Sequence, residues 1–216
     1  MKLSHNFHLS YSTNIHRGEN WKQTFDSLKQ YTMAVRQQVC PNAPYAIGLR
    51  LSDQASRELS EPATLRAFQD WLEEKQSYIF TLNGFPFGRF HGGRVKEQVY
   101  VPDWTTRERL DYTNRLFDLL AQLVPDGVEG SVSTVPCSFK EFIKTEEQVR
   151  EMRANLWRCV EHLAQTSERS GKMLHLGLEP EPLCYLETSE ETVRFFEEMR
   201  ADRPNDPRLA THLGVN

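Results

Sequence analysis

Residues 174–182 read Leu174-His175-Leu176-Gly177-Leu178-Glu179-Pro180-Glu181-Pro182. In a strand, successive side chains point to opposite faces. Leu174, Leu176 and Leu178 then share one face, while His175, Gly177, Glu179 and Glu181 share the other. The stretch 45–52 splits the same way, with Tyr45, Ile47, Leu49 and Leu51 opposite Ala46, Gly48, Arg50 and Ser52. Near the start of the chain, Ser10, Ser12, Asn14 and His16 form a third small or polar row. A doubly wound sheet is covered by helices on both sides and wants apolar residues on each. One large apolar face and one small polar face suit a barrel instead, with helices outside and a polar site within.

Working outward, strand-like runs occupy 8–15, 45–51, 78–83, 130–135 and 174–179, and a sixth opens at 211–215. Helical patterns lie between them. Thr105 with Glu108, Thr145 with Gln148, and Thr188 with Glu191 have the spacing of a capping box. Ser60 followed by Pro62 is a further start signal. Val149, Met152, Leu156, Val160 and Leu163 form one apolar stripe, which Gly171 closes. Alternating strands and helices imply a parallel sheet. A complete eightfold barrel takes about 250 residues, and here the sixth strand opens only near residue 211. The expected fold is therefore α/β, a TIM-type barrel that is incomplete. Five β/α units and the start of a sixth strand fill one domain over 1–216, truncated at its C-terminal end.

Composition limits the function. The 216 residues include 30 acidic and 26 basic side chains, a formal net charge of -4. That balance argues against a nucleic-acid partner. No apolar run approaches the length of a bilayer span, and the first 20 residues lack a signal-peptide core. Cys40, Cys137, Cys159 and Cys184 form no CxxC pair. A cytoplasmic location is expected. Nucleophile-elbow and phosphate-loop glycine motifs are missing from the sequence.

Three groups of residues could carry chemistry. Glu179 and Glu181, at the C-terminal end of a barrel strand, are hard oxygen ligands suited to Mg²⁺, Mn²⁺ or Zn²⁺. The same residues also read as a solvated acidic turn, with Glu187 facing the dipole of the next helix. The long connection after Asn83, Gly84-Phe85-Pro86-Phe87-Gly88-Arg89-Phe90-His91-Gly92-Gly93, has the make-up of a binding loop. Within it His91 is a candidate ligand, acid–base or substrate contact, and Arg94 and Lys96 could attract an anion. His16 and Asn14 would face the same pocket, with Arg50 and Ser133 as weaker candidates.

The LGLEPEP strand and the downstream Glu187 resemble the fifth strand of the xylose isomerase-like TIM barrel superfamily. The stretches LSYSTNIHRGENW, PYAIGLRLS, YIFTLNGFPFGRFHG, VKEQVYVPDW, GSVSTVP and LGLEPEPLCYLE are together similar to the EboE-like metabolite traffic proteins of that superfamily. The resemblance implies a divalent metal with Glu179 or Glu181 as first ligand. Glu179 directly follows the apolar strand as the family ligand does. Glu181 precedes Glu187 at the spacing where ketose epimerases place a substrate-contacting Glu.

The resemblance points to a metal-assisted sugar isomerase or epimerase acting on a small metabolite. Glu187 and His91 would be catalytic, and His16, Asn14, Asn83 and Lys96 would bind substrate. A non-catalytic metabolite-handling protein is the competing expectation, and an abasic-site endonuclease a weaker one. A truncated barrel is further expected to hold its metal weakly or not at all, and to self-associate.

Overall fold

The computed structural model describes residues 1–88 and 96–216, the side chains of Asn6 and Lys96 excepted. Six strands form one sheet: β1 (Ser10–Ser12), β2 (Tyr45–Arg50), β3 (Ser77–Asn83), β4 (Gly130–Thr134), β5 (Leu174–Leu178) and β6 (Leu213–Val215). Every pairing is parallel, and the spatial order is the sequence order. A doubly wound sheet reverses its order at a switch point. This sheet never does, which is the winding of a TIM-type barrel, here open between β1 and β6.

The register accounts for the two faces. Leu49, Leu82, Val132, Leu176 and Leu213 stand side by side across five strands. All five are buried. Helices α4 (Pro62–Glu74), α5 (Arg107–Leu123), α6 (Glu146–Ser170) and α8 (Arg208–His212) pack on the strands of this sheet. On the concave side the matching row is Arg50, Asn83, Ser133, Gly177 and Gly214, with Gly48, Thr81, Ser131 and His175 one step earlier. The shift between Ile47 and Gly48 leaves Phe80 as an extra residue in β3, a bulge of the kind that bends a strand.

Helix starts mostly follow the sequence signals. The capping boxes of Thr145 and Thr188 both form, opening α6 and α7 (Ser189–Asp202), and Gly171 ends α6 at φ 68°. Two expectations need correction. Thr105 does not cap α5, because its amide and hydroxyl both donate to Asp103 Oδ1, at 2.9 and 2.5 Å. Thr106 takes the cap, accepting from the Arg109 amide at 3.4 Å. Ser60 ends α3 (Asp53–Leu59), and its hydroxyl returns to the Ser56 carbonyl. Glu61 precedes α4 without a side-chain cap, and Pro62 is the first helical residue.

Every strand but β3 is also shorter than its pattern implies. The run 8–15 gives three strand residues and then a 3₁₀ turn over Thr13–Ile15. Thr211 and His212 end α8 rather than opening β6. Between α1 (Trp21–Ser27) and α2 (Met33–Val39), residues Leu28–Thr32 wind as a π-helix. Among the described residues, no helix is long and apolar enough to cross a membrane.

Candidate functional site

The C-terminal ends of β4 and β5 build the site. Parallel pairing continues past β5, since the Glu179 amide donates to the Thr134 carbonyl at 3.1 Å. This keeps Glu179 in the strand alternation, and its carboxylate accepts a hydrogen bond from Ser133 on the concave face. Partial burial raises the Glu179 pKa, with Glu181 adding to the rise and Ser133 opposing it.

Beyond Glu179 the chain turns tightly. The Cys184 amide donates to the Glu181 carbonyl at 3.1 Å, and Leu183 takes a left-handed conformation at φ 67°. The turn is zipped to the segment after β4 by Tyr185 donating to Ser138 at 2.7 Å and Lys140 donating to Leu183 at 2.9 Å. Tyr100 arrives from the connection between β3 and α5. Its ring stacks on Phe139 at 5.3 Å, and its hydroxyl donates to Glu181 Oε2 at 3.1 Å. Burial pushes the nearby Cys184 thiol up to about 11. All four cysteines are free and buried.

The remaining sequence candidates are dispersed. Glu187 is bound by Lys140 Nζ at 2.6 Å, and the same ammonium holds Glu191 at 2.7 Å. That ammonium keeps the Glu187 pKa below its ordinary value. Asn83 sits at the end of β3, in register with Ser133, and its Oδ1 accepts from the Phe85 amide at 3.1 Å. Asn14 lies in the 3₁₀ turn after β1 with a buried Oδ1. His16 stands at the same end of the sheet but against the first helices. Its Nε2 is 2.9 Å from the Tyr11 hydroxyl, and its ring stacks on Tyr31 at 5.0 Å. His91 and the Lys96 side chain lie outside the described residues.

Two positions matter that the sequence reading passed over. Tyr100 orients Glu181, yet nothing near it in sequence marks that role. Arg109, fully buried in the first turn of α5, donates to the carbonyls of Gly84, Phe85 and Pro102 at 2.7, 3.1 and 2.7 Å. It thereby ties together the start and end of the connection that carries Tyr100. Arg50 adds a second tie, donating to Gly18 at 3.0 Å and Gly88 at 2.6 Å. An Arg in an otherwise apolar helical stripe was the available signal.

Among the described residues, the donor set does not assemble a site for a resident divalent ion. Among the described residues, no three His, Cys, Asp or Glu side chains gather as metal ligands. Tyr100 engages Glu181 and Lys140 engages Glu187, while an ion on one or two carboxylates keeps most of its positions in water.

The raised pKa of Glu179 has a consequence for stability. An acid whose pKa rises on folding costs stability when ionised. The cost is absent below the unfolded pKa, near 4, and fully present above the folded one. Glu179→Gln, which keeps an acceptor for Ser133, should therefore raise the melting temperature at neutral pH and leave it nearly unchanged near pH 4. Calorimetric scans of both proteins check this, and an equal gain at both pH values would contradict it.

No family model and no curated protein matches the sequence. Among solved structures, the chain is similar to the IOLI protein described with a bound zinc atom, at 17% identity and a TM-score of 0.45. That match covers 91% of this chain and 56% of the other, so the chain spans about half the length of that relative. It is also similar to 3-keto-D-glucoside 4-epimerase, YcjR, from E. coli, in its apo form, at 14% identity and a TM-score of 0.47. There 95% of this chain and 76% of the other are covered. A third match is SacUVDE, at 14% identity and a TM-score of 0.29, covering 88% and 71%.

Proposed function

We propose that the C-terminal end of the concave face binds a small hydroxylated metabolite and that Glu179 moves a proton on it, in a reaction of the sugar isomerase or epimerase type. The carrying observation is Glu179 itself. It is a half-buried carboxylate with a raised pKa, at the strand end where this winding places its active sites. A carboxyl tuned toward neutrality can both accept and return a proton.

In the proposed step, Glu179 takes the proton from a carbon beside a carbonyl. The C–H electron pair forms a carbon–carbon double bond while the carbonyl π pair moves onto its oxygen, giving an enediolate. Isomerisation follows when Glu179 returns the proton to the former carbonyl carbon and the hydroxyl proton passes from the other oxygen to the new alkoxide, and epimerisation follows when the intermediate turns in the site and takes the proton on the other face of its original carbon. Ser133 and Asn83 offer a hydroxyl and an amide to the substrate's oxygens, and Glu181, oriented by Tyr100, accepts from its hydroxyls. Glu187, His91, His16, Asn14 and Lys96 stand as the sequence-derived candidates for the rest of the site. No step is routed through a metal, because the donors described do not assemble one.

The partner in this reading is a small metabolite rather than nucleic acid, in keeping with the net charge of -4. A role like that of the EboE-like metabolite traffic proteins, in the cytoplasm, rests on the sequence resemblance and on the four free, buried cysteines. A second reading, metabolite handling without turnover, draws support from the engagement of Glu181 by Tyr100 and of Glu187 by Lys140.

Proton NMR of a panel of aldoses and ketoses in D₂O separates the two readings. Turnover should place deuterium on the carbon beside the carbonyl of at least one sugar. Glu179→Gln should slow that exchange about a hundredfold, the scale of a lost general acid–base. Binding without exchange, at equal affinity in both proteins, would favour handling and remove the proton-transfer role.

A further inference from the structure

The concave face has a second polar end. At the N-terminal ends of the strands lies a cavity of about 840 Å³, lined by Lys2, His8, Phe80, Glu129, Ser131 and His175 among others. Glu179 lies four positions beyond His175, just past the end of β5, roughly 13 Å at strand rise. The cavity is therefore distinct from the site at the other end. Its walls come from β3, β4 and β5 and from the chain segment before β1, which folds back through an antiparallel bridge between Lys2 and His8.

The lining chemistry is specific. His8 Nδ1 is 2.7 Å from the Tyr78 hydroxyl, which fixes the ring and leaves Nε2 without a hydrogen bond among the described residues. Neither nitrogen of His175 is hydrogen-bonded among the described residues, although the ring is half-buried. Ser131 directs its proton to Thr81 at 2.8 Å and so presents an acceptor. Phe80, the bulged residue of β3, lies against the His8 ring at 5.4 Å.

Burial lowers the pKa of both imidazoles. Positive charges of the Met1 amino group and Lys2 add to this at His8, and Glu129 opposes it at His175. At neutral pH each ring therefore offers one donor and one acceptor. Asp126, also at the cavity, is paired with Lys172. Neutral imidazoles and a hydroxyl beside an aromatic face, with the Glu129 carboxylate as a further acceptor, complement alternating hydroxyls and C–H surfaces better than a concentrated negative charge.

We propose that this cavity is a second ligand site, for an uncharged polyol or monosaccharide, held by His8, His175, Glu129 and Ser131 against Phe80. The site does not depend on the chemistry assigned to Glu179.

The test is long-range ¹H–¹⁵N NMR of the histidine rings at about pH 7.5, where unperturbed imidazoles are neutral. The full chain is titrated with D-glucose, D-xylose, myo-inositol and inorganic phosphate. At least one polyol should shift His8 and His175 together and saturably, leaving His162 still. His175→Gln should weaken the effect on His8 at least tenfold, a loss set by the missing ring contacts. Glu179→Gln should leave it unchanged. The proposal is overturned if no polyol moves His8 and His175 up to about 50 mM, far above useful affinity. It is equally overturned if phosphate alone moves them, or if Glu179→Gln abolishes the shift. The last result would place the ligand at the other end of the sheet.

Discussion

Arg109→Met is expected to destabilise the chain by about 4 kcal/mol, the cost of stripping partners from a buried polar network. Arg109 is fully buried, and its guanidinium serves three carbonyls that accept from no other donor among the described residues. Methionine fills much of the volume but donates nothing, so Gly84, Phe85 and Pro102 are left facing an apolar chain. Burial lowers the Arg109 pKa to about 10, with Tyr112 and then Asp103 pulling the other way, so the side chain stays charged at neutral pH.

Lysine should recover little of the loss. One ammonium cannot reproduce the planar fork that reaches Pro102 on one side and Gly84 and Phe85 on the other. Urea unfolding read by tryptophan fluorescence gives the difference from the midpoints, if the slopes agree. A loss under about 1 kcal/mol, the range of an ordinary surface change, would mean that the carbonyls find water or other donors. The same variant should loosen Tyr100 from Glu181, because Arg109 closes the connection on which Tyr100 rides.

Leu176→Ala is the second large effect, expected to cost about 3–4 kcal/mol through lost transfer energy and the cavity left behind. Leu176 sits in the buried outer row between Val132 and Leu213, on a strand with neighbours on both sides. A strand paired along both of its edges has little freedom to collapse into a void, which places this site toward the upper part of the usual range. Val193→Ala, on the exposed part of α7 at 58% accessibility, should change stability by less than about 0.5 kcal/mol. Chemical denaturation of the two variants side by side checks the contrast. Equal effects would show that the outer row is not the packed face.

Much of the fold was legible because it follows from local rules. Two-residue alternation in 174–178 separates the leucines from His175 and Gly177 whatever the neighbours are, and the register bears this out. The capping boxes at Thr145 and Thr188 need only residues three apart, so they form as read. Thr105 shows the limit of such rules. Its spacing to Glu108 is correct, but Asp103 lies two residues away and takes its hydroxyl, leaving the cap to Thr106. Local competition of this kind is decided by geometry rather than by spacing.

The site depends on contacts that spacing does not encode. That Glu179 faces the polar side of the sheet was determined by the sequence alone, through strand alternation. That its pKa rises was decided by burial at the strand end, a property of the folded layers. Glu181, Glu187 and His16 differ in fate for the same reason. Tyr100 reaches Glu181 across 81 residues of sequence, Lys140 reaches Glu187 across 47, and Tyr31 lies flat on His16 from the π-helical turn. A carboxylate or imidazole in sequence carries only its intrinsic chemistry. Which of these groups is engaged by a partner, and which is left to meet a ligand, is set by chain segments that only the tertiary packing of strands, loops and helices brings together.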